Sequence, residues 1–461
     1  MTAPAELSTT SIVRERLNTK AEQALTDLES RTSHSWRNAL DHTKVLPDSV
    51  DLAGAPSLSL FIRSSSGPHV TDIDGTRFLD LCMGFGALIL GHTHSAVHNA
   101  IVEQASRGWQ FGLPNVDQTE FAQLIQFAGP ANERVALCTS GKDAVFLAMR
   151  AARTFTGKNI IASFTGSCHG AYEHRVTSHD VNTPSPAPSR MSGMNPQTNV
   201  VLPYGHAAAL DQILRRKHDL AAVIVEPIRS SNPSAAHTDW LHQLAQTCRD
   251  AGVIMILDET YTGFRLAYGG AQELLSLVPD LVTYGDIIGG GLSQGAVAGR
   301  ADIMGMFFGT ATGRTASADG TFAGNPLSIS AGIATLRYLR EHRATLYPTL
   351  NEGGLRLAKG FNAFAAAEQL PVEMKQVGSM FRIVFHRDQN HNHKISACTQ
   401  SAAEAAFYIL ALNRGVLMHA AQRGFLSLAH NRETIDEALD VFVESLRDVR
   451  DDGLFPAPPK N

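Results

Sequence analysis

Short apolar runs recur through the middle of the chain, each followed by a polar or glycine-bearing turn and then a segment with helical spacing. Arg134–Cys138, Ile160–Phe164, Ala221–Val225, Val253–Leu257 and Leu281–Tyr284 read as buried strands, with helices at Ala144–Thr154 and Trp240–Ala251. This alternation predicts an α/β fold with a doubly wound, mostly parallel sheet flanked by helices. Before it, Ser59–Leu81 predicts two short strands turning at Asp74-Gly75, and Ala96–Arg107 predicts a helix. After it, Leu327–Arg340 predicts a long helix leading into the C-terminal part. The Pro/Ser-rich stretch Asp180–Asn199 predicts an exposed loop, and the Pro-rich end FPAPPKN a disordered tail. Residues 1 to about 55 are polar and helix-prone at first, then loop-like.

Parallel sheets bind ligands at the carboxyl ends of their strands. Val253–Leu257 ends in two adjacent carboxylates, Asp258 and Glu259, which makes that pair a site candidate. Leu281–Tyr284 ends in Gly285-Asp286-Ile287-Ile288-Gly289-Gly290-Gly291, where consecutive glycines permit positive φ or close approach to a ligand. Arg134–Cys138 leaves through Thr139-Ser140-Gly141-Lys142-Asp143 into a helix. Such a turn presents backbone N–H groups at a positive helix end and can hold an anion. An ordinary N-cap is the plainer reading of the same residues. Ile160–Phe164 ends in Thr165-Gly166-Ser167-Cys168-His169-Gly170, and Ala221–Val225 in Glu226-Pro227.

Bulk properties narrow the class. A length of 461 residues allows more than one domain, and 44% hydrophobic with 18% charged residues is ordinary for a soluble globular protein. A formal charge of -5 without a Lys/Arg stripe argues against nucleic acid as a partner. No apolar run is long enough for a membrane span, and the charged N-terminus does not read as a secretory signal. The cysteines Cys82, Cys138, Cys168, Cys248 and Cys398 are scattered without C-x-x-C spacing, which fits reduced cytoplasmic thiols and no metal site.

Several spaced motifs carry a resemblance. D-E-x-x-T-G-F-R from Asp258, A-Y-G-G-A-Q-E from Ala267, P-D-L from Pro279 and G-x-I-I-G-G-G-L from Gly285 together resemble the class III aminotransferases. The nearest branch is the one that includes glutamate-1-semialdehyde 2,1-aminomutase. Gly108–Pro114, Asp319–Pro326 and Gly424–His430 are similar to further segments of that branch, so the resemblance spans about residues 58 to 448. It implies pyridoxal-phosphate (PLP) enzymes of the aspartate-aminotransferase fold (PLP fold type I). The implied divisions are an N-terminal arm at 1–57, a large PLP-type domain at 115–330, and a smaller α+β domain from 58–114 and 331–448, with a tail at 449–461.

The resemblance also assigns roles. Ser140, Gly141 and Lys142 match the loop that holds the PLP phosphate, with Lys142 in place of a hydroxyl residue and able to pair as a point charge. Asp258 matches the carboxylate on the pyridine nitrogen, and Glu226 its strand-end neighbour. Cys168 stands where the family stacks an aromatic ring, and His169 follows it. Thr321 matches the residue that reaches the phosphate from a second subunit, which implies a homodimer with the site at the subunit interface. Asp286 stands where the family has the lysine that carries PLP as a Schiff base, and a carboxylate cannot form an imine. The nine lysines of the chain include none, besides Lys142, in a motif of the expected site. The resemblance therefore implies an aminotransferase- or aminomutase-like enzyme that binds PLP or pyridoxamine phosphate non-covalently. It would act on a small amine, amino acid or keto compound, with Asp286 as base. A repurposed, inactive paralogue and PLP-independent chemistry in the same pocket are the alternatives.

Overall fold

The computed structural model describes residues 19–35, 38, 60–167, 169, 198–308, 316, 320–386, 402–418 and 423–455. Strands β1 (Ile62–Ser66), β2 (His69–Asp72) and β3 (Arg77–Asp80) come first. They are followed by β4 (Arg134–Cys138), β5 (Ile160–Phe164), β6 (Asn199–Leu202), β7 (Leu220–Val225), β8 (Ile254–Asp258), β9 (Leu281–Tyr284) and β10 (Gly295–Gly299). Last come β11 (Val372–Val377), β12 (Met380–Phe385), β13 (Val416–Leu417) and β14 (Arg423–Phe425). The chain divides into two compact units.

The larger unit, residues 86–88 and 95–348, holds a seven-stranded sheet in the order β4-β10-β9-β8-β7-β5-β6. Only β10 runs against its neighbours β4 and β9; the other pairings are parallel. β7 and β8 are buried along their whole length, as expected of strands covered on both faces. Because β4 and β9 both oppose β10, they run the same way, and β4, β9, β8, β7 and β5 all end at one edge. The helix Gly141–Thr156 turns Ala144, Val145, Ala148, Met149, Ala151 and Ala152 into the core, where small side chains let it lie close to Ala222, Ile224, Ile254, Ile256 and Val297. It stops at Gly157, whose φ of 70 suits a residue without Cβ.

Two boundaries differ from the sequence reading. The helix Ser95–Arg107 groups with the larger unit, because Ser330 Oγ donates to Ala100 O at 3.0 Å and the following loop is hydrogen-bonded to Thr321 and Asn325. The predicted helix from Leu327 runs on as Pro326–Ala367, with Pro348 inside it at the division between the units. The strand β6 was not foreseen. Among the described residues no helix is long and apolar enough to cross a membrane.

The smaller unit carries the sheets β1-β2-β3-β13 and β11-β12-β14. The β2–β3 hairpin turns where expected, with Asp72 Oδ1 accepting from the N–H groups of Asp74 and Thr76 at 3.0 and 2.8 Å. Phe361, Phe407 and Phe442 meet in its core, mostly edge to face. Beside this core His430 is buried: Nε2 donates to Asp80 O at 3.1 Å, and Nδ1 accepts from Ser427 N and Oγ at 3.0 and 2.9 Å. That pattern fixes a neutral imidazole, and burial pulls its pKa from 6.5 down to about 4.

In the unfolded chain His430 takes up a proton below its ordinary pKa that the folded protein refuses. Stability therefore rises with pH between about 4 and 6.5, a span worth roughly 3 kcal/mol. His430→Gln is expected to flatten this dependence, read as the gap between wild-type and variant melting temperatures across that range. A gap that does not change with pH would refute it.

Candidate active site

Asp258 ends β8 with both oxygens engaged. Its Oδ1 accepts from Thr260 N at 3.1 Å, Thr260 Oγ1 at 2.7 Å and Thr283 Oγ1 at 3.1 Å. Its Oδ2 accepts from His169 Nδ1 at 2.8 Å. Burial alone would raise this carboxyl, but the bonds from His169 and Thr260 outweigh it and hold the group below the usual carboxylate range. A carboxylate offers about four acceptor positions, so Oδ2 keeps a lone pair for a ligand. The other nitrogen of His169, Nε2, is buried and without a hydrogen-bond partner among the described residues.

Glu259, adjacent in sequence, belongs elsewhere. Its Oε2 accepts from Thr262 Oγ1 at 2.6 Å and Ala271 N at 2.8 Å, and its Oε1 from Gln272 N at 2.7 Å. It ties the turn after β8 to the start of the helix Gly270–Leu274, so the carboxylate pair splits into one site residue and one brace. Burial pushes Glu259 up to about 7. Its contribution to stability falls as pH rises from 4.5 to about 7, opposite to His430, which is why the His430 effect has to be read against its variant. Glu226 is a brace as well: its Oε2 accepts from Ser230 N at 3.0 Å and closes the turn after β7.

Ser140 caps the helix Gly141–Thr156 rather than standing in an exit turn that reaches Asp143. Its Oγ accepts from Asp143 N at 3.2 Å and donates to Asp143 Oδ2 at 3.0 Å, and Thr139 Oγ1 donates to the same carboxylate oxygen. Both readings of this turn hold together, since a capped helix still has first-turn N–H groups, at Gly141 and Lys142, that find no acceptor within the helix. The Lys142 side chain is exposed.

Gly141 and Gly285 pack backbone to backbone. A Cβ on Gly285 would lie 2.6 Å from Gly141 Cα, and one on Gly141 would lie 2.5 Å from Thr260 Cγ2. This contact joins the Ser140 loop to the turn after β9. Asp286 begins a short 3-10 turn there, half-buried, with φ 49, a left-handed conformation that Asp tolerates better than most residues. Three residues earlier, Thr283 holds Asp258. Asp286 thus follows directly on the contact between Gly285 and Gly141.

Arg265 is a buried residue that sequence reasoning passed over, although it closes the D-E-x-x-T-G-F-R motif. It is 2% exposed, and its guanidinium donates to Tyr261 O at 2.9 Å and to Gly86 O. Burial pulls its pKa down to about 10, and the charge of Asp286 is the foremost influence opposing that fall. The charge of Asp286 therefore acts on a buried cation.

Thr321 is not drawn into this cluster. Thr321 is exposed; its carbonyl accepts from Gln110 Nε2 at 2.5 Å, while Asn325 Nδ2 donates to Trp109 O at 2.8 Å. Trp109, Phe111, Leu113 and Phe322 lie exposed on these two stitched loops. Cys168 lies outside the described residues.

The sequence pattern of the aminotransferase class-III family matches residues 52–449. The chain belongs to the class III aminotransferases. As a class III aminotransferase it has the α/β, aspartate-aminotransferase-like fold, and by family it is an aminotransferase- or aminomutase-like enzyme. It is 35% identical over 389 residues to glutamate-1-semialdehyde 2,1-aminomutase of Persephonella marina, covering 83% of this chain and 90% of that one. A transaminase solved with PLP bound shares the fold at a TM-score of 0.81 and 29% identity, over 92% of this chain and 99% of its own. A β-phenylalanine aminotransferase from Variovorax paradoxus gives 0.82 and 28%, over 95% and 99%. In this class III aminotransferase, the strand ends that the sequence singled out lie at one sheet edge.

Proposed function

We propose that the chain is a divergent class III aminotransferase or aminomutase-like enzyme that holds PLP or pyridoxamine phosphate without a covalent link. It acts on a small amine, amino acid or keto compound. Asp286 takes the place at which lysine-bearing relatives hold the cofactor. One observation supports this reading: Gly285, which precedes Asp286, packs against Gly141 of the anion loop, and Thr283 and His169 hydrogen-bond to Asp258.

The residues fit the group. The first-turn N–H groups of Gly141 and Lys142, with the Lys142 ammonium, would hold a phosphate, and the absent Cβ atoms at 141 and 285 let the two backbones pack together beside it. Asp258 Oδ2 would accept a hydrogen bond from a protonated ring nitrogen, and the bonds from His169 and Thr260 keep that carboxylate ionised. When bound, the cofactor supplies an electron sink for a carbanion on the substrate. Asp286 is the group placed to accept a proton at its carboxylate oxygen. The exposed aromatic residues of the Gly108–Leu113 and Thr321–Asn325 loops suit burial against a second copy of the chain, as a homodimer with Thr321 at a shared site requires. The scattered cysteines suit a cytoplasmic setting.

A second reading, a repurposed paralogue without catalysis, is favoured by the commitment of the Ser140 hydroxyl to Asp143. Spectroscopic titration of the purified protein with PLP and with pyridoxamine phosphate separates the two. The enzyme reading expects a saturable, shifted absorption band that dialysis removes and borohydride does not fix. If neither form binds, the repurposed fold is the better account.

A further inference from the structure

Resting on that reading of the site, we infer that Asp286 makes it select the amine form of the cofactor, pyridoxamine phosphate, over the aldehyde form. The chain of contacts locates the carboxylate. Gly285 touches both Gly141 of the anion loop and Thr260, whose hydroxyl donates to Asp258 Oδ1 at 2.7 Å, so Asp286 follows directly on the contact that joins the two anchors.

The charge that a carboxylate brings beside that contact is negative. Asp286 is half-buried at the start of a turn whose backbone is bound on both sides, so its position is set by the fold. Its charge acts on the fully buried Arg265, whose guanidinium donates to Tyr261 O and Gly86 O among its partners. A buried guanidinium stays protonated at neutral pH and favours the ionised form of a carboxyl beside it. An ionised carboxylate has acceptor positions for more than one cation. An ammonium on the ligand is attracted to it and donates a charge-assisted hydrogen bond. An aldehyde oxygen, an acceptor with partial negative charge, is repelled. Where a lysine would combine with the aldehyde, the carboxylate holds the amine.

The test uses the full chain and three ligands that share ring and phosphate. These are pyridoxamine phosphate, PLP, and pyridoxine phosphate, whose neutral hydroxymethyl group replaces the amine. Dissociation constants are measured by calorimetry at neutral pH for wild type and for Asp286→Asn. Wild type is expected to bind pyridoxamine phosphate on the order of tenfold more tightly than pyridoxine phosphate, the scale of a single partly desolvated ion pair. In Asp286→Asn that preference should vanish, while pyridoxine phosphate binds as before. Added salt should narrow the wild-type preference. Equal binding of the two ligands by wild type, or an unchanged preference in the variant, overturns the inference and leaves the proposed function standing. If none of the three binds, the proposed function itself fails.

Discussion

Asp258→Ala is expected to unfold the protein at a markedly lower temperature, and Asp258→Asn to leave it folded but unable to retain the cofactor. Four donors converge on Asp258: Thr260 N, Thr260 Oγ1, Thr283 Oγ1 and His169 Nδ1. Alanine leaves all of them facing a void in a buried place, a loss of roughly 3–5 kcal/mol by analogy with breaking one side of a buried ion pair. Asparagine keeps an oxygen for the three donors on Oδ1. Its amide then donates to His169 Nδ1, which is possible once the imidazole carries its proton on Nε2, the atom that now lacks a partner. The fold survives, but the negative charge that a protonated ring nitrogen needs is gone, and affinity for either cofactor form should fall about a hundredfold, the size of one charge-assisted bond. Thermal melts and titrations of both variants check this. An asparagine variant that binds as tightly as wild type would remove Asp258 from the site.

The second large effect concerns Asp286→Lys. With PLP this variant is expected to form a covalent adduct that borohydride fixes, visible as an added mass on the peptide that contains position 286; wild type should give none. Without ligand the variant should melt below wild type, because the buried guanidinium of Arg265 then faces a second cation in place of a carboxylate. Saturating PLP should recover part of that loss by binding the folded state. A folded variant that yields no adduct would mean that the pocket does not accept PLP next to residue 286.

Periodicity and motif spacing made the central sheet legible. β4 and β5 fall where the apolar runs predict them, β8 and β7 within one residue. Strands buried on both faces advertise themselves in this way. β6 and the full length of Pro326–Ala367 were hidden for opposite reasons. Asn199–Leu202 is too short and too exposed to stand out from the Pro/Ser-rich stretch before it, while Pro348 reads as a stop although the helix passes through it. In the site, the sequence marked Asp258, His169, Ser140 and Asp286, each at the end of a strand. The strand pattern alone marked Asp258 and Glu259 together, because the two differ in which way the chain turns them, and only the resemblance singled out Asp258. It passed over Arg265, since a lone arginine in a motif looks the same whether it lies on the surface or beneath a carboxylate.

The contact of Gly141 with Thr260 has a consequence for molecular length. A Cβ on Gly141 would lie 3.2 Å from Thr260 Oγ1, and that hydroxyl donates to Asp258 Oδ1 at 2.7 Å, so a single threonine spans the start of the helix and the carboxylate. The two act as the jaws of a caliper with a narrow opening. A molecule that touches both gains the advantage of divalent attachment, its second contact forming at high local concentration once the first is made. A fragment carrying only the anion or only the ring engages one jaw and is released, so the spacing discriminates among ligands by their length.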